Sequence, residues 1–233
     1  MWFAGPAPMT YPVRSGALRT GLHLERGMKI GLFGGSFNPA HEGHKHVADT
    51  ARAKLGLDKI IWLVSPQNPL KSRHETAPLT ERIAQLKPFI GPHDIISDFE
   101  TQIGATYTLD TLRALKARYP GVHFVWIMGG DSLAGFHRWR GWMQIMHIMP
   151  MVVVSRPGAL MNARFSPAAK RFAHFRTKER AAHILPYQKA PAWAYLKGPL
   201  HGHSSTAIRA RLRRGEGSSP KAVAAVLEAS KNP

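Results

Sequence analysis

Residues 29–44 read Lys29-Ile30-Gly31-Leu32-Phe33-Gly34-Gly35-Ser36-Phe37-Asn38-Pro39-Ala40-His41-Glu42-Gly43-His44. The run from Lys29 to Gly34 is short and apolar, as a buried strand is. It ends on two adjacent glycines, and a helical pattern follows from about 43 to 55. Adjacent glycines let the backbone turn tightly and let a ligand approach it closely. Amides near a helix start can cradle phosphate. No Gly-Lys-Ser/Thr follows and the glycine spacing is not GxGxxG, so neither a Walker A loop nor a dinucleotide fingerprint is present. His41 and His44 stand three apart around the helix start, where they can share a face and meet one anion. Two other roles stay open for them. One is a zinc site with His46, against which helical spacing and the lack of an acidic or cysteine partner count. The other is purely structural.

Outward from this stretch the pattern alternates. Lys59 to Val64 reads as a second strand, Asp94 to Ser97 as a third, Val122 to Met128 as a fourth, Met151 to Ser155 as a fifth and Ala192 to Leu196 as the last. Between them, helices are expected over 81–87 with Thr80 as N-cap, over Thr106 to Arg118 with Pro120-Gly121 as the stop, over about 131–147, and over 166–182 as a basic helix. Helices 205–213 and 220–229 complete the chain. Short apolar strands alternating with helices predict an α/β fold with a doubly wound parallel sheet covered on both faces. Ligands of such sheets bind beyond the carboxyl ends of the strands, where the topology switches. The first 27 residues look irregular, and we expect a dispensable extension there, or a start at Met28. Residues 28–233 are then a single domain whose helical C-terminal part spans about 204–230.

Composition narrows the class. The chain has 233 residues, no cysteine and a net charge of +18. Absence of cysteine excludes disulfides and thiolate metal or redox sites. The longest apolar run, Met143 to Val154, is broken by Gln144, His147 and Pro150, and is too short for a bilayer, which needs roughly 20 residues. With no signal-peptide pattern either, a soluble cytoplasmic protein without membrane partners is expected. The charge is uneven. Residues 156–189 hold eight bases and one acid, and residues 197–214 hold five bases and no acid. Such segments attract polyanions, or are simply solvated.

The segment Gly34-Gly-Ser-Phe-Asn-Pro-Ala-His41-Glu-Gly-His44 resembles the (H/T)-x-G-H signature of the nucleotidylyltransferase superfamily. A second signature of that superfamily, Ser-Ser/Thr-Thr-x-Ile/Val-Arg, stands as Ser204-Ser205-Thr206-Ala207-Ile208-Arg209. Further segments resemble bacterial nicotinate-nucleotide adenylyltransferases: Ala105 to Leu112, Met128 to Leu133, His137-Arg138-Trp139-Arg140 and Ser155-Arg156-Pro157-Gly158. The likeness runs from about 29 to 213 and is thinnest across 160–190. His203, Arg140 and the short tail after Arg214 depart from the usual pattern.

The resemblance implies a Rossmann-like fold and adenylyl transfer from ATP to nicotinate mononucleotide, giving deamido-NAD and pyrophosphate. It implies backbone contacts to ATP from Gly34, Gly35, Ser36 and Phe37. It sets His41 and His44 at the phosphates, and Ser205, Thr206 and Arg209 on the β and γ phosphates; His41, His44 and Arg209 are the catalytic candidates. Gly129 and Asp131 are candidates for the adenosine side, Asp131 for the ribose or as an N-cap, and Arg156 for the adenine. Lys71 is the candidate for the mononucleotide phosphate, or is a solvated loop lysine; Tyr107, Thr108 and Trp139 are candidates around the pyridine ring, and Arg140 is a further candidate for the mononucleotide. Trp139 either stacks on that ring or is core. Trp62, Trp126 and Trp142 read as packing. Mg²⁺ is expected with ATP, held by phosphates and water, with no protein ligand named. Nothing in the sequence sets an oligomeric state. Alternatives are an adenylyltransferase for nicotinamide mononucleotide or phosphopantetheine and, more distantly, a basic nucleic-acid-binding protein, for which no module is readable. A truncated aminoacyl-tRNA synthetase core is also conceivable, although no Lys-Met-Ser-Lys-Ser loop occurs.

Overall fold

The computed structural model describes residues 22–66, 76–155 and 163–197. Seven strands form one sheet: β1 (Lys29–Gly35), β2 (Lys59–Val64), β3 (Ile95–Ser97), β4 (His123–Gly129), β5 (Met151–Val154), β6 (Arg176–Thr177) and β7 (Trp193–Leu196). Their order is β3-β2-β1-β4-β5-β7-β6, and every neighbouring pair is parallel. The α/β doubly wound expectation therefore holds. The strands read as unbroken apolar runs because both faces are covered. Alternate residues feed two cores. Ile30, Leu32, Trp126 and Met128 join one, packed against α4 (Thr108–Arg118) and α6 (Trp142–Ile148). Phe33, Val125 and Ile127 join the other, packed against α1 (Glu42–Leu55).

The helix boundaries differ from the sequence reading in instructive ways. The helix α2 (Leu79–Leu86) begins before Thr80, and its N-cap position is Pro78, without a side-chain cap bond. Thr80 is thus inside the first turn rather than at the cap. The expected helix over 131–147 is two, α5 (Gly130–Gly135) and α6, separated by a 3₁₀ turn and by Gly141 at φ 67°. Only glycine adopts that left-handed conformation without cost. A side chain at Gly141 would also collide with Leu109, so the two helices part where α4 packs beneath them. The expected basic helix over 166–182 is likewise broken. It contains a short helix Pro167–Arg171 capped by Ser166, a 3₁₀ turn, the two residues of β6, and a 3₁₀ segment Glu179–Tyr187. High helix propensity of Lys and Arg lost there to sheet pairing of Arg176 and Thr177 with Trp193 and Ala194. The helix expected from Thr106 begins at Thr108.

One buried carboxylate locks the base of the first unit. The Asp94 side chain accepts from Ile60 N at 3.0 Å, Trp62 Nε1 at 3.0 Å, Gly91 N at 3.1 Å and Arg52 Nη2 at 2.5 Å. It joins the end of α1 to the start of β2 and the turn before β3. Of the expected N-terminal extension only residues 22–27 are described; Leu22 is buried and Gly27 N donates to Gly121 O. Both helices expected after residue 204 lie outside the described residues.

Candidate active site

The chain order reverses between β1 and β4, so the segments after these strands diverge and leave a crevice at the sheet edge. Gly35 lies opposite Val64 at the end of β2, and Phe33 lies opposite Ile127 near the end of β4. The motif after β1 therefore opens directly onto the switch point. Gly34 has a physical necessity: a side chain there would run into the Trp126 indole from β4.

The loop from Ser36 to His41 is tightly specified. Phe37 has φ 44°, a left-handed conformation rare for a bulky residue. Its ring is only 2 % exposed and sits among Phe33 at 5.5 Å, His44 at 5.1 Å and Trp62 at 5.5 Å between ring centroids. Core burial of the ring offsets the backbone cost, roughly 1–3 kcal/mol for such a conformation. His41 is completely buried and is the N-cap of α1. Its Nδ1 accepts from Gly43 N at 3.1 Å, while His44 Nδ1 accepts from His41 N at 3.3 Å. The two imidazoles reproduce the reciprocal bonds of a capping box. Their centroids are 3.9 Å apart. Since both Nδ1 atoms accept, a neutral ring at either position carries its proton on Nε2. His41 and His44 do share a face, as their spacing predicts. Among the described residues no cluster of three His, Asp or Glu could hold a metal ion.

An arginine that sequence reading passed over holds this loop. Arg82 in α2 is 1 % exposed and donates to four carbonyls: Ser36 at 2.8 Å, Ser65 at 2.8 Å, Pro66 at 3.1 Å and Ala77 at 2.9 Å. Burial pushes its pKa below the ordinary arginine value. The signal was present in the sequence. Leu79, Arg82, Ile83 and Leu86 fall on one helical face, so Arg82 occupies an apolar stripe.

The second half of the site lies across Trp126. Trp139 is partly buried and meets Trp126 edge-on at 6.4 Å and Phe136 at 5.3 Å. Trp126 thus contacts both the motif glycine and Trp139. Trp62 and Trp126 are fully buried and Trp142 is partly so, as read from the sequence. Tyr107 is the N-cap residue of α4 and Thr108 its first residue; both are half-buried. The Arg140 guanidinium lies over the Tyr107 ring, 4.5 Å from its centre. Gly129 is the N-cap of α5. Asp131 is therefore in the first turn, exposed, and is not the cap. Lys71, Arg156, Ser204, Ser205, Thr206 and Arg209 lie outside the described residues.

Comparison with known proteins bears on this arrangement. The cytidylyltransferase-like family model matches residues 32–211. A "Probable nicotinate-nucleotide adenylyltransferase" of Caulobacter sp. (strain K31) is 64% identical over 189 residues, covering 81% of this chain and 100% of that protein. One of Rhizobium johnstonii bearing the same name is 48% identical over 188 residues, covering 80% of this chain and 94% of that one. Among solved structures, Plasmodium falciparum nicotinic acid mononucleotide adenylyltransferase complexed with NaAD superposes with TM-score 0.61 at 17% identity, covering 79% of this chain and 84% of that one. The structural likeness attests the fold, and the sequence identities attest kinship. With the β1 motif at the switch point and the Trp139 and Tyr107 segments beside it, the chain belongs to the cytidylyltransferase-like family and, within it, to the nicotinate-nucleotide adenylyltransferases.

Proposed function

We propose that this chain transfers the adenylyl group of ATP to nicotinate mononucleotide, forming deamido-NAD and pyrophosphate in NAD biosynthesis. The observation that carries the reading is the loop from Gly34 to His44. It sets two adjacent glycines and the interlocked His41–His44 pair at the sheet's switch point in a relative of named nicotinate-nucleotide adenylyltransferases.

The chemistry needs little from the protein beyond placement and charge. A phosphate oxygen of the mononucleotide attacks the α-phosphorus of ATP; the new P–O bond forms as the bond to the pyrophosphate oxygen breaks. The attacking oxygen is already anionic near neutral pH, so no general base is required. Catalysis is then orientation plus stabilisation of developing negative charge. In this reading Gly34, Gly35, Ser36 and Phe37 contact ATP through the backbone. His44 faces the α-phosphate, while His41 supports it from below as the buried cap. Ser205, Thr206 and Arg209 hold the outer phosphates, with Arg209 reading them bidentately. Gly129, Asp131 and Arg156 serve the adenosine half. Lys71 binds the mononucleotide phosphate, and Tyr107, Thr108, Trp139 and Arg140 surround the pyridine.

Arg140 supports the acid over the amide. Its cation stands on the Tyr107 face, and no ion pair of Arg140 occurs among the described residues. A pyridine carboxylate would supply that partner, and a carboxamide would not. The donors gathered at the described site are N–H groups, which suit phosphate oxygens better than a cation. Mg²⁺ is accordingly proposed to enter with ATP rather than on a protein ligand, and would supply charge neutralisation at the phosphates. No helix among the described residues is long and apolar enough to cross a membrane. A cytoplasmic location belongs to the proposal.

The test is pyrophosphate release with ATP and Mg²⁺, run in parallel with nicotinate mononucleotide, nicotinamide mononucleotide and phosphopantetheine. Release chiefly with the nicotinate compound is expected. Release chiefly with another acceptor would overturn the substrate, and release with none would overturn the reaction.

A further inference from the structure

Glu100 is a buried carboxyl with no part in the chemistry above. It is 6 % exposed, in the short helix α3 (Phe99–Gln102) that follows β3. Its side chain accepts hydrogen bonds from the hydroxyls of Ser65 and Thr111, the latter at 3.3 Å. These partners belong to opposite halves of the site. Ser65 follows β2; its N–H donates to Gly35 O at 3.0 Å and its carbonyl accepts from Arg82, which also binds Ser36 O. Ser65 is thus part of the frame that shapes the β1 motif. Thr111 lies one turn into α4, with its hydroxyl also 3.4 Å from Tyr107 O, the backbone at the N-terminus of that helix.

We propose that Glu100 is a positioning residue for the acceptor half of the site. Its carboxyl ties Ser65 to Thr111, and so fixes Tyr107 and Thr108 relative to the phosphate-binding motif. The inference rests on the reading that Tyr107 and Thr108 face the mononucleotide.

The energetics favour such a device. A buried carboxyl is costly unless its oxygens are satisfied. Burial raises the Glu100 pKa, while the two hydroxyls pull it back. A group held against that cost specifies one arrangement of its partners. The β1 motif has other supports, namely Arg82, the Phe37 ring and the His41–His44 cap. Besides the Glu100–Thr111 bond, the first turn of α4 is held by the Arg140–Tyr107 contact and by Leu109 beneath Gly141. Loss of Glu100 therefore falls on the acceptor side.

The experiment is steady-state kinetics of the full chain with each substrate varied separately, for Glu100→Ala, Glu100→Gln, Thr111→Val and Tyr107→Ala. Glu100→Ala is expected to raise the KM of nicotinate mononucleotide about tenfold and to change the KM of ATP by less than about twofold. Glu100→Gln, which keeps the shape and can bond both hydroxyls, should recover most of that loss. Equal changes in both KM values, no change in either, or a Gln variant as impaired as Ala would overturn the proposal. If Glu100→Ala does not fold, Thr111→Val removes the far hydroxyl alone: a rise in acceptor KM supports the proposal and an unchanged value overturns it. Tyr107→Ala separates the two readings. Raised acceptor KM there, with none in Glu100→Ala, sinks the positioning role alone; an unchanged value in Tyr107→Ala sinks the acceptor site and the proposal with it.

Discussion

Arg140 and Tyr107 form a cation–π pair, the guanidinium 4.5 Å from the ring centre, that bridges the loop before α6 and the start of α4. Exposed pairs of this kind contribute about 0.5–1 kcal/mol. That is too little to make Arg140 a structural necessity, so its charge is available to a ligand. Arg140→Leu is expected to lower kcat/KM for nicotinate mononucleotide by about tenfold, and for nicotinamide mononucleotide by less than about twofold. Competition assays with the two acceptors measure the ratio. An equal loss with both would assign Arg140 to packing alone.

His41 and His44 look alike in the sequence and differ in the structure. His41 is buried and satisfies the first turn of α1, whereas His44 is half-buried beside Phe37. His44→Ala should lower kcat by about 100-fold, the scale for removing one donor at developing charge, and also takes the side-chain acceptor from His41 N–H. His41→Ala should cost about 1 kcal/mol of stability as well, as lost N-caps do, and His41→Asn should restore it. Thermal denaturation beside kcat separates the roles. Near-normal turnover in His44→Ala would end the phosphate reading of the motif.

How much of this was legible in the sequence follows from where each signal lives. Strand and motif are local: Gly34, His41 and His44 announce themselves by spacing, and the apolar runs of β1, β2, β4 and β5 follow from burial on both faces. Asp94 and Glu100 do not, because their partners are distant in sequence: Asp94 meets Arg52, 42 residues away, and Glu100 meets Ser65. No period marks a carboxylate that folds inward. Arg82 was readable in principle, since it interrupts an apolar helix face. The breaks at Gly141 and Arg176 were set by packing and sheet pairing, which override helix propensity.

Arg82 carries a prediction of its own. It satisfies four carbonyls across Ser36, Ser65, Pro66 and Ala77, and no carboxylate is among these partners. Arg82→Met would remove the donor that these four carbonyls share, at about 1–3 kcal/mol for each group left unpaired. A net loss on the order of 3 kcal/mol or more is expected by urea denaturation, since some carbonyls will reach water. Arg82→Lys, with a point charge in place of a planar fork, should lose less. A change below about 1 kcal/mol in Arg82→Met would show that the loops hold themselves.

Glu100 makes stability depend on pH with a defined sign. Its pKa in the folded chain is raised by burial, so the folded state keeps a proton that the unfolded chain has already released. Stability from this group is fully present below the unfolded value, near 4.5, and is lost as pH rises through the folded one. Glu100→Gln removes that titration and keeps the shape. The Tm difference, variant minus parent, should therefore increase with pH from about 4.5 upward and then level off. Taking the difference cancels every other titrating group that the substitution leaves alone. Denaturation scans of both proteins in matched buffers from acid to mildly alkaline pH provide the curve. A difference that stays flat, or falls, would mean that Ser65 and Thr111 stabilise the carboxylate as well as water does, and that burial is not the dominant influence on this group.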